Sequence, residues 1–301
     1  MQFKGRHLLS LKDFTKDEIL KIIETSIEKK YRIDNSLEGK TVGLLFQKPS
    51  TRTRVSFEVA VNQLGGHSVY MNWSELQLSR KESLKDTALV LSRYLNCLVA
   101  RLFKQSDLIE MAENSTIPVI NGLTELYHPC QILGDLQTII EKKGSLQKQK
   151  IVFIGDGNNV ANSLLIASSI LGLKTSLICP RGYEPPAEVQ SIVNSNARVS
   201  NAKITITNDL EEVEEATVVY TDVWVSMGQE EETAKRLKDF SGYKITDKTV
   251  SKASPDYIFM HCLPRTQYEV SDEIFYGNHS VVWDQAENRL HVQKAILRLI
   301  V

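Results

Sequence analysis

Residues 41–66 read TVGLLFQKPSTRTRVSFEVAVNQLGG, and this stretch decides the fold. Thr41 to Gln47 is a short apolar run of the kind that forms a buried strand. Beyond a polar segment, Phe57, Ala60, Val61 and Leu64 recur at helical spacing until Gly65 and Gly66 stop the pattern. Strand, loop and helix in that order form the repeating unit of a parallel sheet covered by helices.

The same rhythm extends outward in both directions. Strands are expected at Val69–Trp73, Cys97–Phe103 and Ile117–Asn121, with a helix over Lys81–Tyr94. From Gln131, Ile132, Leu133, Leu136, Ile139 and Ile140 share one helical face, and Pro129 suits a first helical turn. Lys142–Lys150 is charged, contains Gly144 and has no apolar stripe, which places a domain boundary there. Further strands follow at Ile151–Ile154, Thr175–Ile178, Lys203–Thr207, Thr217–Tyr220 and Tyr257–Met260, with helices at Val160–Leu171 and Gln285–Ile300. The expectation is an α/β protein with two doubly wound domains and parallel sheets. One domain is 1–141 joined by the closing helix 285–301, and the other is 142–284.

A chain of 301 residues with 42% hydrophobic residues, 24% charged residues and a net charge of −1 can bury large cores. Near-neutrality argues against a nucleic-acid partner, and no apolar stretch reaches membrane-spanning length, so a cytoplasmic address is expected. Cys97, Cys130, Cys179 and Cys262 are widely spaced, so free thiols are expected and no metal site.

Pro49-Ser50-Thr51-Arg52-Thr53-Arg54 stands where a strand hands over to a helix. Exposed N–H groups, hydroxyls and a guanidinium at that place suit a phosphate. An ordinary helix cap with two solvated arginines is the alternative. Gln77, Arg101 and His128-Pro129-Cys130-Gln131 add similar groups at predicted strand or helix ends, where loops converge on one crevice. Arg101 ends an apolar strand, so a purely structural role requires a buried counter-charge. His128 alone reads more often as a capping or surface histidine, and only its neighbours raise it.

Gly155-Asp156-Gly157-Asn158-Asn159 also joins a strand to a helix, but it is a poor dinucleotide fingerprint. Val160 occupies the third glycine's place, and the next strand ends in Cys179-Pro180 instead of an acidic residue. Asp222 ends another apolar strand and precedes Ser226-Met227-Gly228, and His261-Cys262-Leu263-Pro264 ends a third. Taken singly, Asp222 reads as a turn cap and Cys262 as a small buried residue.

Four segments in order resemble the aspartate/ornithine carbamoyltransferase family: Ser-Thr-Arg-Thr-Arg at 50–54, His-Pro-Cys-Gln at 128–131, Asp-Val-Trp-Val-Ser-Met-Gly at 222–228 and His-Cys-Leu-Pro at 261–264. The last two are similar to its ornithine branch, and the resemblance spans nearly the whole chain. It implies that Ser50, Thr51, Arg52, Thr53, Gln77, Arg101, His128, Gln131, Cys262, Leu263 and Arg289 serve carbamoyl phosphate, with Gln77 contributed to a neighbouring subunit of a homotrimer. It implies that Asn159, Asp222, Ser226 and Met227 serve L-ornithine, Gly228 being a hinge of a closing loop. Arg101, His128, Cys262 and Asp222 are the implied catalytic groups, in a cleft between a carbamoyl phosphate domain and an ornithine domain. The implied reaction gives citrulline and phosphate in arginine biosynthesis and uses no cofactor.

Physically, attack of a neutral amine on the carbamoyl carbonyl places negative charge on oxygen, which donors such as Thr53, Arg101 and His128 stabilise. The amine must first lose a proton, a task for Cys262 coupled to Asp222. Ser79 departs from the glycine many relatives carry there, leaving that loop's conformation open. Rival readings are a carbamoyltransferase acting on putrescine or a modified ornithine, an NAD-linked oxidoreductase and a non-catalytic scaffold. Putrescine needs no partner for an α-amino acid, an oxidoreductase must bind a nicotinamide, and a scaffold need not keep Arg52, His128 and Cys262.

Overall fold

The computed structural model describes residues 3–225 and 230–301. Ser226, Met227 and Gly228 therefore lie outside the described residues. The chain divides into two compact units, Met1–Gln137 with Glu287–Val301, and Thr138–Ala286.

The first unit opens with α1 (Lys16–Glu28), whose start is set by a reciprocal capping box between Thr15 and Glu18. A β-α alternation follows: β1 (Thr41–Phe46), α2 (Thr51–Gln63), β2 (His67–Asn72), α3 (Leu84–Tyr94), β3 (Cys97–Arg101), α4 (Gln105–Glu113), β4 (Val119–Leu123) and the first part of α5 (Pro129–Lys143). The four strands are parallel in the order β2-β1-β3-β4. β3 is buried throughout and β1 at every residue after Thr41, as covering of both sheet faces requires. Leu98, Ala100 and Val119 of the sheet pack with Ala88 of α3 and with Leu108 and Met111 of α4.

Two expected boundaries shift for local reasons. The predicted helix over Lys81–Tyr94 begins only at Leu84, because Lys81 has a left-handed φ of 75° and Ser83 accepts a hydrogen bond from the Asp86 amide. The strand expected from Ile117 starts at Val119. Pro118, which has no N–H to give to a ladder, is the physical reason.

The second unit begins within α5. It continues through β5 (Lys150–Ile154), α6 (Asn159–Leu171), β6 (Lys174–Ile178), α7 (Ala187–Ser200), β7 (Lys203–Thr207), β8 (Val218–Thr221), α8 (Thr233–Asp239), α9 (Asp247–Val250), β9 (Ile258–His261) and α10 (Asp272–Phe275), and reaches the start of α11 (Val282–Ile300). All five strands are parallel in the order β7-β6-β5-β8-β9. Val152, Ile154, Ile178, Val219 and Phe259 form one core layer with Val250, Ile274 and Phe275. α6 is buried almost all round, capped by Asn158 and ended by Gly172 at φ 73°.

Both sheets are α/β sheets whose strand order reverses beside the first strand, between β1 and β3 and between β5 and β8. Loops leaving the carboxyl ends at such a reversal diverge and leave a crevice. The expected site residues lie in large part on those loops.

Candidate active site

In the first unit the reversal pairs Phe46 of β1 with Arg101 of β3. Ser50 caps α2, its hydroxyl accepting from the Thr53 amide at 3.3 Å. Capping and anion binding are compatible here, since the cap aims the helix's first amides at the same region. Thr51 is exposed, Arg52 half-buried and Thr53 buried. The second arginine of the motif departs from this group. Arg54 pairs with Glu58 at 3.0 Å and lies 3.6 Å from the Tyr70 ring centre.

Arg289 of α11 ties the cluster together. Its guanidinium donates to Gln131 Oε1 at 2.6 Å and to Thr53 Oγ1 at 3.4 Å, while Gln131 Nε2 donates to Asp135 Oδ1 at 2.8 Å. Arg289 is 3% exposed, so it is not a surface charge of its helix. Arg101 is 6% exposed, and among the described residues no carboxylate pairs with it. Burial first, then the charges of Arg289 and Arg52, lower its proton affinity to about 10. Burial and the same arginines, with Arg101, push the His128 imidazole well below the ordinary histidine range. A neutral imidazole among three guanidiniums is an arrangement that an anion relieves. Cys130 behaves differently: burial raises its thiol to about 12, and it donates to the Asn121 carbonyl at 3.4 Å.

Gln77 does not join this group within one chain. It is exposed at the start of a short helical turn, Gln77–Arg80. Ser79 supports that turn through its hydroxyl, which donates to the Leu76 carbonyl at 2.7 Å.

In the second unit the reversal pairs Ile154 with Thr221, and β9 sets His261 beside Thr221. The next residues of the two latter strands, Asp222 and Cys262, meet there. Cys262 Sγ donates to Asp222 Oδ1 at 2.9 Å, Val223 N donates to the same oxygen at 2.8 Å, and Asn158 Nδ2 donates to Oδ2 at 2.7 Å. Asp222 is 7% exposed, Cys262 is half-buried and Asn159 is half-buried at the first turn of α6.

Leu263 has a left-handed φ of 59°, unfavourable for a branched side chain, and precedes a cis proline. Its amide donates to His261 Nδ1 at 2.9 Å, so the ring's proton sits on Nε2, facing Glu269 at 3.1 Å. Glu269 is fully buried, and burial alone would raise its carboxyl. Hydrogen bonds from His261 and Thr266 outweigh that and hold it below the ordinary glutamate range. Asp222, His261 and Cys262 offer ligand atoms within 4.8 Å of one another. Both ring nitrogens of His261 are already engaged, so its lone pair is not offered to a cation.

Sequence reasoning missed Asn158, Asp156, Arg236 and Glu269. Asp156 and Arg236 form a buried ion pair at 2.7 Å, and Arg236 also donates to the Trp224 carbonyl at 3.2 Å. The resemblance to a dinucleotide turn dissolves at Gly157. A Cβ there would meet Pro185 N at 2.5 Å and Tyr183 O at 2.6 Å. The glycine admits a neighbouring backbone, not a pyrophosphate.

Family models match both parts of the chain. Residues 6–141 match the aspartate/ornithine carbamoyltransferase carbamoyl-P binding domain, and residues 147–300 match the Asp/Orn binding domain of the same family. The chain belongs to the aspartate/ornithine carbamoyltransferase family. Within that family it is 51% identical over 299 residues to the ornithine carbamoyltransferase of Caldicellulosiruptor saccharolyticus, covering 97% of each chain. It is 49% identical over 306 residues to the anabolic ornithine carbamoyltransferase of Pyrococcus furiosus, covering 98% of this chain and 96% of that one. A solved ornithine carbamoyltransferase structure from Pyrococcus furiosus superposes with a TM-score of 0.95 at 48% identity, over 100% of this chain and 98% of that one. The anabolic enzyme of Campylobacter jejuni gives 0.93 at 43% identity, over 97% of both. Arg289 lies in the span of the Asp/Orn model, yet its side chain completes the cluster of the carbamoyl-P unit.

Proposed function

We infer that the chain transfers the carbamoyl group of carbamoyl phosphate to the side-chain amine of L-ornithine, giving L-citrulline and phosphate. The observation that carries this reading is the presence of two chemically opposite clusters, one in each unit. One gathers Arg52, Arg101 and Arg289 around a neutral His128, and the other couples the carboxylate of Asp222 to the thiol of Cys262.

Ser50, Thr51, Arg52 and Thr53 hold the phosphate, with the amides at the start of α2 facing it. Thr53, Arg101 and His128 donate to the carbamoyl oxygen, while Gln131 and the Leu263 backbone hold the carbamoyl amide. Asn159, Asp222, Ser226 and Met227 bind the α-amino-acid end of ornithine. With the Cys262 thiol donating to the Asp222 carboxylate, the pair can accept one proton from the side-chain ammonium. The freed amine attacks the carbonyl carbon and the charge moves to oxygen. On collapse the bond from carbon to the bridging oxygen breaks, and the departing phosphate carries off the second amine proton.

The NAD reading loses support at Gly157 and Asp156, which are engaged by the Tyr183–Pro185 backbone and by Arg236. Putrescine would leave Asp222 without the α-ammonium it is held to receive. Cytoplasmic location and a place in arginine biosynthesis go with the water-soluble substrates and product of this reading.

Supplying carbamoyl phosphate with ornithine, putrescine, N-acetylornithine or aspartate in parallel tests the assignment. Citrulline with equimolar phosphate is expected from ornithine alone. Faster product from any other acceptor would overturn it.

Gln77, exposed and apart from its own chain's cluster, is assigned to the phosphate site of a neighbouring subunit in a homotrimer. Reassociating Arg52→Ala chains with Gln77→Ala chains, each nearly inactive alone, is expected to restore part of the activity. Mixed oligomers that stay inactive would refute the sharing.

A further inference from the structure

We propose that Asn158, beyond capping α6, is the positioning residue of the acceptor half-site, fixing the Asp222 carboxylate toward both Cys262 and the substrate. The proposal rests on the carbamoyl-transfer reading above.

Asn158 is the residue before α6, and its Oδ1 accepts from the amides of Val160 at 3.0 Å and Ala161 at 3.1 Å. Those two bonds settle which end of the side-chain amide faces which way. Reversing it would aim an NH2 group at two N–H donors and a carbonyl at a carboxylate, three repulsive contacts in place of three hydrogen bonds. With the oxygen committed to the helix, Nδ2 can only face outward, and there it donates to Asp222 Oδ2 at 2.7 Å. The amino end of α6 thus sets the aim of a donor, and the donor sets the plane of a carboxylate.

The carboxylate is constrained at both oxygens. Oδ1 takes the Val223 amide and the Cys262 thiol, and Oδ2 takes Asn158. An ionised carboxylate offers about four acceptor directions, two per oxygen. The described residues use three, which leaves the second direction of Oδ2 for a substrate ammonium. Without Asn158 the group is held at Oδ1 only and can turn about its final torsion. Both the thiol contact and the ammonium site depend on that torsion.

Two substitutions separate this role from helix capping. Serine and aspartate both cap helices well, so Asn158→Ser keeps the cap and loses the donor, while Asn158→Asp keeps the cap and sets a like charge against Asp222. For Asn158→Ser, kcat/KM for ornithine should fall about tenfold to a hundredfold, the range for losing a hydrogen bond to a charged group. Asn158→Asp should fall further. In both variants KM for carbamoyl phosphate should stay within about twofold and the thermal midpoint within a few degrees of the parent chain. An Asn158→Ser chain with parental kcat/KM for ornithine would overturn the proposal, as would a loss shared equally with carbamoyl phosphate KM and the thermal midpoint. The parent chain separates the two levels of inference: no citrulline from it sinks the reaction itself, whereas citrulline from parent and variants at equal rates sinks only the role of Asn158.

Discussion

His128 shows how a single residue reports the charge of its surroundings. Burial and the positive charges of Arg289, Arg101 and Arg52 all disfavour its protonated form. In the folded chain it is therefore neutral at and below neutral pH, able to donate one hydrogen bond without carrying charge. A phosphate dianion among the same arginines works in the opposite direction, because it favours a nearby cation. Titrating the imidazole by NMR should give a pKa below the ordinary histidine value in the ligand-free chain and a higher one with saturating inorganic phosphate. An unmoved pKa would place the anion elsewhere. The sign for stability follows from the same shift. The unfolded chain takes up the proton that the folded chain resists, so His128 costs stability as pH falls below the ordinary histidine value. Glu269, held low, works in the same direction at lower pH: its contribution is complete above the ordinary glutamate value and is lost as pH falls through the lower folded one.

At the scale of elements, the site is made by loops at the two places where strand order reverses. β1, β3 and β5 were legible because strands covered on both faces are written as continuous apolar runs. α7 leaves little trace in the sequence, because Val189 and Val193 are the only residues it buries deeply. The positioning residues were less legible still, because their partners are distant. Asn158 and Asp222 are 64 residues apart and Asp156 and Arg236 are 80 apart, and nothing local marks either pair. Asn159 was singled out from the pair of asparagines by resemblance alone. The turn before α6 carries its own prediction. Gly157→Ala drives a methyl group into the Tyr183–Pro185 backbone, a clash expected to cost about 1–3 kcal/mol. It should also raise KM for ornithine by moving Asn158. Thermal denaturation and steady-state kinetics check both effects, and an unchanged midpoint would mean that the neighbouring backbone yields freely.

On the scale of the whole molecule, two α/β units, each built on a parallel sheet, carry one cluster apiece. The guanidinium cluster can hold a dianion, and the carboxylate–thiol pair can take a proton from a cation. Arg289 shows that these halves are not strictly separable along the chain, since the last helix returns to complete the first unit. No helix of the described residues is long and apolar enough to cross a membrane. The reaction makes one bond, between the carbamoyl carbon and the side-chain nitrogen of ornithine. The most direct measurement follows that nitrogen. With ornithine labelled by 15N at the side chain and unlabelled carbamoyl phosphate, the label should appear at the substituted ureido nitrogen of citrulline, in step with phosphate release. Phosphate released without labelled citrulline, or label left wholly in ornithine, would contradict the account.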